Sequence, residues 1–558
     1  MVRRTGMGLP VVVVALAVGG VWPLDVSAQM SPSPQPVPSG TFASPLPSEI
    51  APLPSGAPAP LESASPIPTP SPTQPPIIVE PPSVAIAPGT TQVLRVMQVL
   101  GNVGVTVADP SIAEAAADQV ARTVTITAHA VGRTTLTISD ERGLTRDVPI
   151  RVAYPAGSVA DIASVRITGH PASSLFVKEQ AVLAAKRRAV PRPGATIVAT
   201  IESVTFSRPL PLDDVVTVDV PVILQGADYL TVQGTTHVRV ENFAEPPGRP
   251  GSLLVSDYPE TLRENGILFT ADLTTDPAER FLYYHYNPPG QPDRRIVLKA
   301  ENTSAAPALV QIISGRAGPG PYEMEVGHLS TQRFLVRMTQ NEGTVVTLPG
   351  NSVTTIVEQL LPAGQIVSNL LQLHEITGNA LHLTLLAQNA GDPVEGPVLP
   401  TGLLRGDHPH ARGVYTPSEF FFTSTYDTAG DDLEVPIGQI PVPNLVEGQA
   451  LSGDYGVLQS VTVEMVNHSD HASDVALYAN PRGGRATGTF LIDGVLVQAH
   501  ALPAFSHFKL RQYTIPAHGF VRTEVVTMPE GGSSYPLRLI VGPDDGSAPP
   551  GAPDSLVY

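Results

Sequence analysis

The sequence contains no cysteine in its 558 residues. That absence excludes disulfides, thiolate metal sites, cysteine nucleophiles and the lipid-modified cysteine of a bacterial lipoprotein. Aromatic residues are few (5%), with a single tryptophan, whereas there are 60 prolines and 48 glycines. This balance favours turn-rich β-structure and linkers over helical bundles. Basic residues are also scarce, since 33 Lys and Arg against 51 Asp and Glu give a formal charge of −18. Nucleic acid or an anionic membrane needs a basic surface to bind, so neither is an expected partner. One core does not serve a chain of this length, and several domains of about 100–150 residues are expected.

Arg3 and Arg4 precede the apolar run 11–21, and "VSAQ" places small residues before Gln29, so residues 1–28 read as a signal peptide. The run is short for a spanning helix, and no later window is apolar enough to span. Residues 29–82, with "SPSPQPVPSG" and "SPTQPP", are almost uncharged and rich in proline. Such a segment cannot bury enough apolar surface to offset its chain entropy, and reads as a disordered, extended spacer of about 3 Å per residue.

Alternating apolar runs fill residues 83–154: Val84-Ile86, Val93-Leu94-Val96, Val103-Val105-Val107, Val124-Ile126, Leu136-Ile138 and Val148-Ile150-Val152, separated by Gly, Pro or Asp. They predict a small sandwich of six or seven strands. The order "APG", "VADPSIAEA", "VTITAHAVGRTTLTISD" and "DVPIRV" resembles the bacterial Ig-like domains. In particular it is similar to the N-terminal domain that precedes the secretin in pilus-assembly proteins of Flp/Tad-type systems. The resemblance covers about seventy residues and implies an accessory role in the envelope. It does not extend to the pore, because no glycine-punctuated channel domain follows. Gly132 and Arg133 fall at one of the family's turn positions, where a glycine tolerates positive φ; they read as a structural turn between two strands.

Residues 155–245 read as a small α+β module. "SSLFVKEQAVLAAKRRAV" places Leu175, Phe176, Val182, Leu183 and Val190 near helical spacing, with Lys186, Arg187 and Arg188 where the helix dipole favours cations. Strand-like runs follow it. After the Pro/Gly-rich stretch 245–252, two segments resemble each other: "IVLKAENTSAAPALVQI" matches "VTVEMVNHSDHASDVAL", and "LPGNSVTTIVEQLLPAGQ" matches "IPAHGFVRTEVVTMPEGG". The offsets, 467 − 302 = 165 and 529 − 362 = 167, are nearly equal. Two related sandwiches are expected at 252–399 and 400–545, with a flexible tail at 546–558.

Catalytic spacings are missing. "HEITG" has Gly378 where a zinc protease needs its second histidine, no Gly-x-Ser-x-Gly elbow occurs, and "SGRAGPGPY" feeds a strand-like segment rather than a helix. His408 and His410 in "RGDHPHARG", and His468, Asp470, His471 and Asp474 in "NHSDHASD", permit a weak metal site, but turn-rich surroundings favour solvated loops. Arg405-Gly406-Asp407 spells an integrin-type tripeptide, and three residues recur by chance. "NTS" and "NHS" fit a glycosylation acceptor but read better as strand ends whose side chains bond their own backbone. "ERFLYYHYNPPG" is the densest aromatic stretch. On a strand, one face belongs to the core, and Tyr283, Tyr284, His285 and Tyr286 are the candidate interaction surface.

The expected protein is therefore mainly β: a multidomain Ig-like and β-sandwich array with one small α+β module. Its expected role is structural or protein-interacting in the bacterial envelope, in the periplasm, at the cell surface or secreted. The role is accessory to pilus assembly or surface adhesion, with pilus or secretin components as candidate partners. No enzyme activity, cofactor, metal or lipid anchor is expected. The alternative is a secreted carbohydrate-binding or carbohydrate-active protein, with Tyr283, Tyr284, His285 and the acids around Asp257 and Glu260 as its cleft; paired carboxylates serve there only about 5–10 Å apart.

Overall fold

The computed structural model describes residues 74–273, 278–378, 381–398, 402–408, 410–446 and 448–548. The expected signal peptide, most of the spacer and most of the tail lie outside them. Among the described residues, thirty-four strands stand against two helices, α1 (Ser174–Arg188) and α2 (Glu323–Thr339). Residues 75–548 belong to one compact unit.

The first domain is a sandwich of two four-stranded sheets. Its strands bury every second side chain, as Val124, Ile126 and Ala128 do in Thr123–Ala128. Leu94, Leu136, Ile138 and Val148 close the core from both sheets. The domain starts earlier than expected at residue 83, because Ile78–Glu80 pairs with Thr91–Met97. Ile77 and Val79 turn inward at the end of the proline-rich stretch, whose average composition hid them.

Helix α1 begins where Ser173 caps it, its hydroxyl accepting from Phe176 N at 3.2 Å, and ends on Lys186, Arg187 and Arg188. Phe176, Val177, Ala181 and Ala185 pack onto the strands Ile162–Ile167, Val215–Gln225 and Val232–Asn242. Val190 lies beyond the helix and is exposed.

The stretch 245–252 is not a structural boundary. Arg166 and Ile167 pair with Val345 and Thr344, so the sheet of the α+β module runs on into one sheet of the first sandwich. Thr168 locks this seam, donating to Asn341 O at 2.6 Å and accepting from Gln311 Nε2 at 2.8 Å. Arg337 of α2 reaches Glu179 of α1 at 2.5 Å. Likewise Arg412–Tyr415, placed by sequence in the second sandwich, pairs with Pro250–Ser256 of the first sheet. Backbone pairing crosses both joints, and hydropathy patterning does not register it.

Helix α2 corrects a second expectation, since residues after "SGRAGPGPY" read as a strand. Glu323 and Glu325 sit in its first turn and Arg337 in its last, matching the helix dipole. Val326, Phe334 and Leu335 bury its apolar side.

The two sandwiches share local geometry. Asn302 Nδ2 donates to the carbonyls of Ala306 (2.9 Å), Leu348 (3.2 Å) and Pro349 (3.2 Å); Asn467 Nδ2 donates to those of His471 (2.7 Å), Ile515 (3.3 Å) and Pro516 (3.1 Å). Each Asn Oδ1 accepts the backbone N–H two residues on, from Ser304 and Ser469, both at 3.0 Å. Both asparagines are buried, so their amides hold strand ends and do not present glycan acceptors. Replacing either Asn302 or Asn467 with alanine strands buried carbonyls, at a cost of about 2–3 kcal/mol. Calorimetry should show a clear drop in the sandwich transition for both, whereas Ser304→Ala, on an exposed bond, should shift it little.

Between the two domains, α2 lies on the second sandwich, at strand Ala486–Ile492 and the loop that contains Glu530. A Cβ on Gly327 would meet Gly531 O at 1.7 Å, so the helix seats there only through glycine.

Candidate functional site

Strand Ala278–Asn287 carries the aromatic stretch. It pairs in parallel with Pro250–Ser256 on one edge and antiparallel with Gln365–Thr377 on the other, so it is central in its sheet. One face, with Phe281 and Tyr283, enters the core of the first sandwich; the other, with Leu282 and Tyr284, faces clusters that include Phe334 and Val326 of α2. Tyr283 and His285 are 0% exposed, Tyr284 5%, and Tyr286 alone is half-buried. The expected exposed row of rings is therefore absent, because a sheet covered on both faces buries both halves of an alternating strand. Tyr283 Oη donates to Gln359 Oε1 at 2.6 Å and accepts from Asn369 Nδ2 at 3.3 Å, and burial raises its pKa.

His285 stands in a pair that the sequence did not reveal. Its Nδ1 donates to the Pro259 carbonyl at 3.0 Å, which leaves Nε2 to accept from the Ser256 hydroxyl at 3.3 Å. Burial pushes the imidazole down to about 4, so it is neutral. A hydroxyl held by a base is the first element of a nucleophile, but Ser256 and His285 are both fully buried. No substrate carbonyl reaches the hydroxyl, and the pair pins the strand to the Pro259 loop.

The acids expected near the tyrosines do meet, but around another residue. His410 Nδ1 lies 3.4 Å from Asp257 Oδ2, and its Nε2 lies 3.3 Å from Glu260 Oε2. Glu260 and His410, but not Asp257, border a cleft of about 310 Å³ lined also by Arg263, Arg405 and Asp407. The imidazole occupies the space between the carboxylates, where a glycosidic oxygen would have to sit. Tyr283, Tyr284 and His285 do not line the cleft. The cluster clamps the 402–412 segment to the first sandwich, helped by Tyr258 Oη donating to Gly406 O at 3.0 Å. Asp407 of the tripeptide is exposed, 3.9 Å from Arg263.

Burial pushes the Asp257 carboxyl up to about 7, Glu260 adding to the rise and His410 opposing it. The bond to Asp257, above all, raises His410. A carboxyl with a raised folded pKa holds its proton more tightly when folded, so the stability it contributes falls as pH climbs from about 4 towards 7. A raised histidine loses its contribution as pH climbs through its folded value, above about 6.5. Both slopes have the same sign. Asp257→Asn should therefore flatten the decline of stability between about pH 5 and 8, measured by denaturant midpoints; an unchanged slope would show that the clamp does not titrate.

The remaining histidines disperse. His518 pairs with Asp470 at 2.7 Å, His468 lies 3.7 Å from Asp427, and Asp474 accepts from Thr514 at 2.7 Å. Among the described residues no group of three or more His, Asp or Glu could hold a metal.

Gly132 and Arg133 lie elsewhere than the turn. They open strand Gly132–Ser139, opposite Val152 and Arg151; the link from Thr123–Ala128 is residues 129–131, which carries the chain from one sheet to the other. Gly132 has no positive φ. Its lack of a side chain admits Ile112, whose Cδ1 would lie 2.7 Å from a Cβ there, while Ile112 O accepts from His129 N at 2.8 Å. Close approach, not turn conformation, selects this glycine, and Arg133 is solvent-exposed.

Residues 80–153 match the family model of the pilus formation protein N terminal region. The match coincides with the first sandwich from its strand Ile78–Glu80 to Thr145–Val152, so the pilus-formation likeness covers one folded domain. No curated protein matches the chain. Among solved structures, domains 4 and 5 of the S-layer protein SbsC are 27% identical over 14% of this chain and 50% of that one, with a TM-score of 0.12. The chain thus spans half the length of that structure. The SGBP-B protein of the Bacteroides ovatus mixed-linkage glucan utilization locus, solved with a heptasaccharide, is 11% identical over 55% of this chain and 71% of its own, TM-score 0.13. The Ig1-2 module of the Drosophila receptor protein tyrosine phosphatase DLAR is 9% identical over 30% and 99%, TM-score 0.13.

Proposed function

We propose that this is an exported bacterial envelope protein that works by binding protein partners, as an accessory to pilus assembly or to a related surface structure. The match of a folded Ig-like domain at residues 80–153 to the pilus formation family carries this reading. The export-type N-terminus and the proline-rich spacer of the sequence support it, since they suit a folded array held away from a membrane. No helix among the described residues is long and apolar enough to cross a membrane. We read the two sandwiches as diverged copies of one domain, on the strength of the matching Asn302 and Asn467 clasps.

The reading assigns no covalent step to any residue. A glycan platform has little support, because Tyr283 and Tyr284, the rings proposed for it, are buried. The test is copurification of the tagged full chain from envelope fractions, with bound proteins identified by mass spectrometry. Pilus or secretin components are expected among them; recovery from the cytosol, or from the envelope without any such component, would overturn the assignment.

A further inference from the structure

Among the described residues, strand Glu419–Asp427 is an edge of the second sandwich, paired on one side only, in parallel with Leu458–Val466. All nine of its residues pair one to one, without a bulge. Its sequence, EFFFTSTYD, holds none of the devices that protect edges: no Pro, no Gly and no Lys. Several other edges are guarded, and Val495–Leu502, which likewise has no Pro, Gly or Lys, is broken by a register shift against Ala486–Ile492. Leu433–Ile437 contains Pro436, and Phe508–Ile515 contains Lys509 and Arg511. Gly266–Leu273, the first strand of the first sandwich, is capped by Leu403, and its Ile267 carbonyl accepts from Leu404 N at 2.8 Å. Apart from the turn bond from Gly430 N to Asp427 O at 2.9 Å, no backbone bond outside the sheet reaches the free side of Glu419–Asp427 among the described residues.

The two sandwiches differ beside this strand. In the first, Leu381–Asn389 lies between Gly266–Leu273 and Arg294–Asn302, antiparallel to both. In the second, Glu419–Asp427 closes directly on Leu458–Val466, and no described strand takes the corresponding place. Phe422 packs against the core and Tyr426 lies in it, so the strand is fixed, while Phe421 is 75% exposed on the opposite face beside Thr423 and Thr425.

We propose that this edge is a strand-addition site for an extended, alternating β-branched segment of a partner protein that carries lysine or arginine at its ends. Backbone bonds along the free edge supply affinity, and Phe421 supplies an apolar contact. Charge decides the occupant. Glu419 is already paired with buried Arg280, but Asp427, Asp431 and Asp432 gather at the other end of the strand, and residues 419–432 include no basic residue. A second copy of this strand brings no base to those acids, whereas a strand with a basic end there meets complementary charge. This inference rests on the protein-binding reading above, though not on its pilus assignment.

The test uses the purified full chain and a fluorescent synthetic peptide of alternating valine and threonine with a lysine pair at each end. Saturable binding is expected, weakened at least tenfold by Phe421→Lys and by Thr423→Lys, and weakened likewise when glutamate replaces the peptide's lysines. Val495→Lys, on the opposite edge of the same sheet, should leave affinity unchanged. Hydrogen exchange on the unaltered chain guards against variants that misfold: new protection should be confined to 419–427. No binding, equal binding by the edge variants, or protection elsewhere overturns the proposal. Self-association abolished by Phe421→Lys would assign the edge to a second copy, and binding gained only when residues 549–558 are removed would assign it to the chain's own tail; either result also overturns it. Because the peptide assay contains no pilus component, its failure leaves the copurification result untouched, and the converse holds.

Discussion

Replacing Arg280 with alanine is expected to destabilise the joint between the sandwiches by about 3–5 kcal/mol, the usual cost of breaking a buried ion pair from one side. Arg280 is 0% exposed. Its guanidinium donates to Ser418 O at 2.7 Å and to Glu419 Oε1 at 3.1 Å, and lies 5.8 Å over the ring of Phe334. Removal thus takes the cation from Glu419, leaves Ser418 O with only its bond from Leu458 N, and empties volume beside α2. Arg280→Met tests the physics: it removes the same bonds but fills the space, so its loss should be clearly smaller than that of alanine. Equal losses would mean that packing contributes nothing there. Denaturant unfolding followed by circular dichroism reads both variants. The side chain joins the central strand of the first sandwich to the first residues of the second, so the edge strand Glu419–Asp427 should also lose protection from hydrogen exchange.

The second large effect concerns the seat of α2. Glu530 is fully buried, accepting from His328 Nδ1 at 2.9 Å and from Thr489 Oγ1 at 2.7 Å, with Thr487 as a further donor. Although burial opposes both charges, the attraction and bond between them hold His328 above its ordinary pKa and Glu530 below its own. The histidine's contribution is complete below about pH 6.5 and is lost as pH rises through its folded value; the glutamate's is present above about pH 4.5 and is lost as pH falls through its folded value. Docking of α2 should therefore be firmest between these limits and weaken on both sides. Glu530→Ala should cost about 3–5 kcal/mol near pH 6. His328→Gln should remove the alkaline decline, which urea midpoints between about pH 6 and 9 would reveal. Gly327→Ala should loosen the same seat without a change in titration, since its methyl meets the Gly531 carbonyl rather than a charge.

Much of the architecture was legible. The alternation in residues 83–154 belongs to a sandwich with one solvated face on each sheet, the case in which period-two patterning is clearest. Helix α1 announced itself through the spacing of Leu175, Phe176, Val182 and Leu183 and three basic residues at its end, while the Ser173 cap emerged only in the structure. Helix α2 did not, because Gly318, Pro319, Gly320 and Pro321 suggest a turn, and Val326, Phe334 and Leu335 are embedded among β-formers. The candidate site was half legible. Asp257 and Glu260 were recognised as neighbours, but their partner His410 lies 150 residues from Glu260 (410 − 260) and was read as part of a solvated loop.

The sequence by itself determined the class of the protein: no cysteine, an acidic balance, a proline-rich leader to the folded part, a β-dominated pattern and a pilus-formation-like domain, all properties of composition or of residues close in the chain. Tertiary structure alone decided which surfaces are free. Tyr283 and Tyr284 look like an aromatic platform until two layers close over their sheet, and EFFFTSTYD looks like an ordinary strand until one of its sides is left without a neighbour. Exposure depends on what segments hundreds of residues away do, so a local pattern can specify a strand but not which of its faces or edges meets solvent.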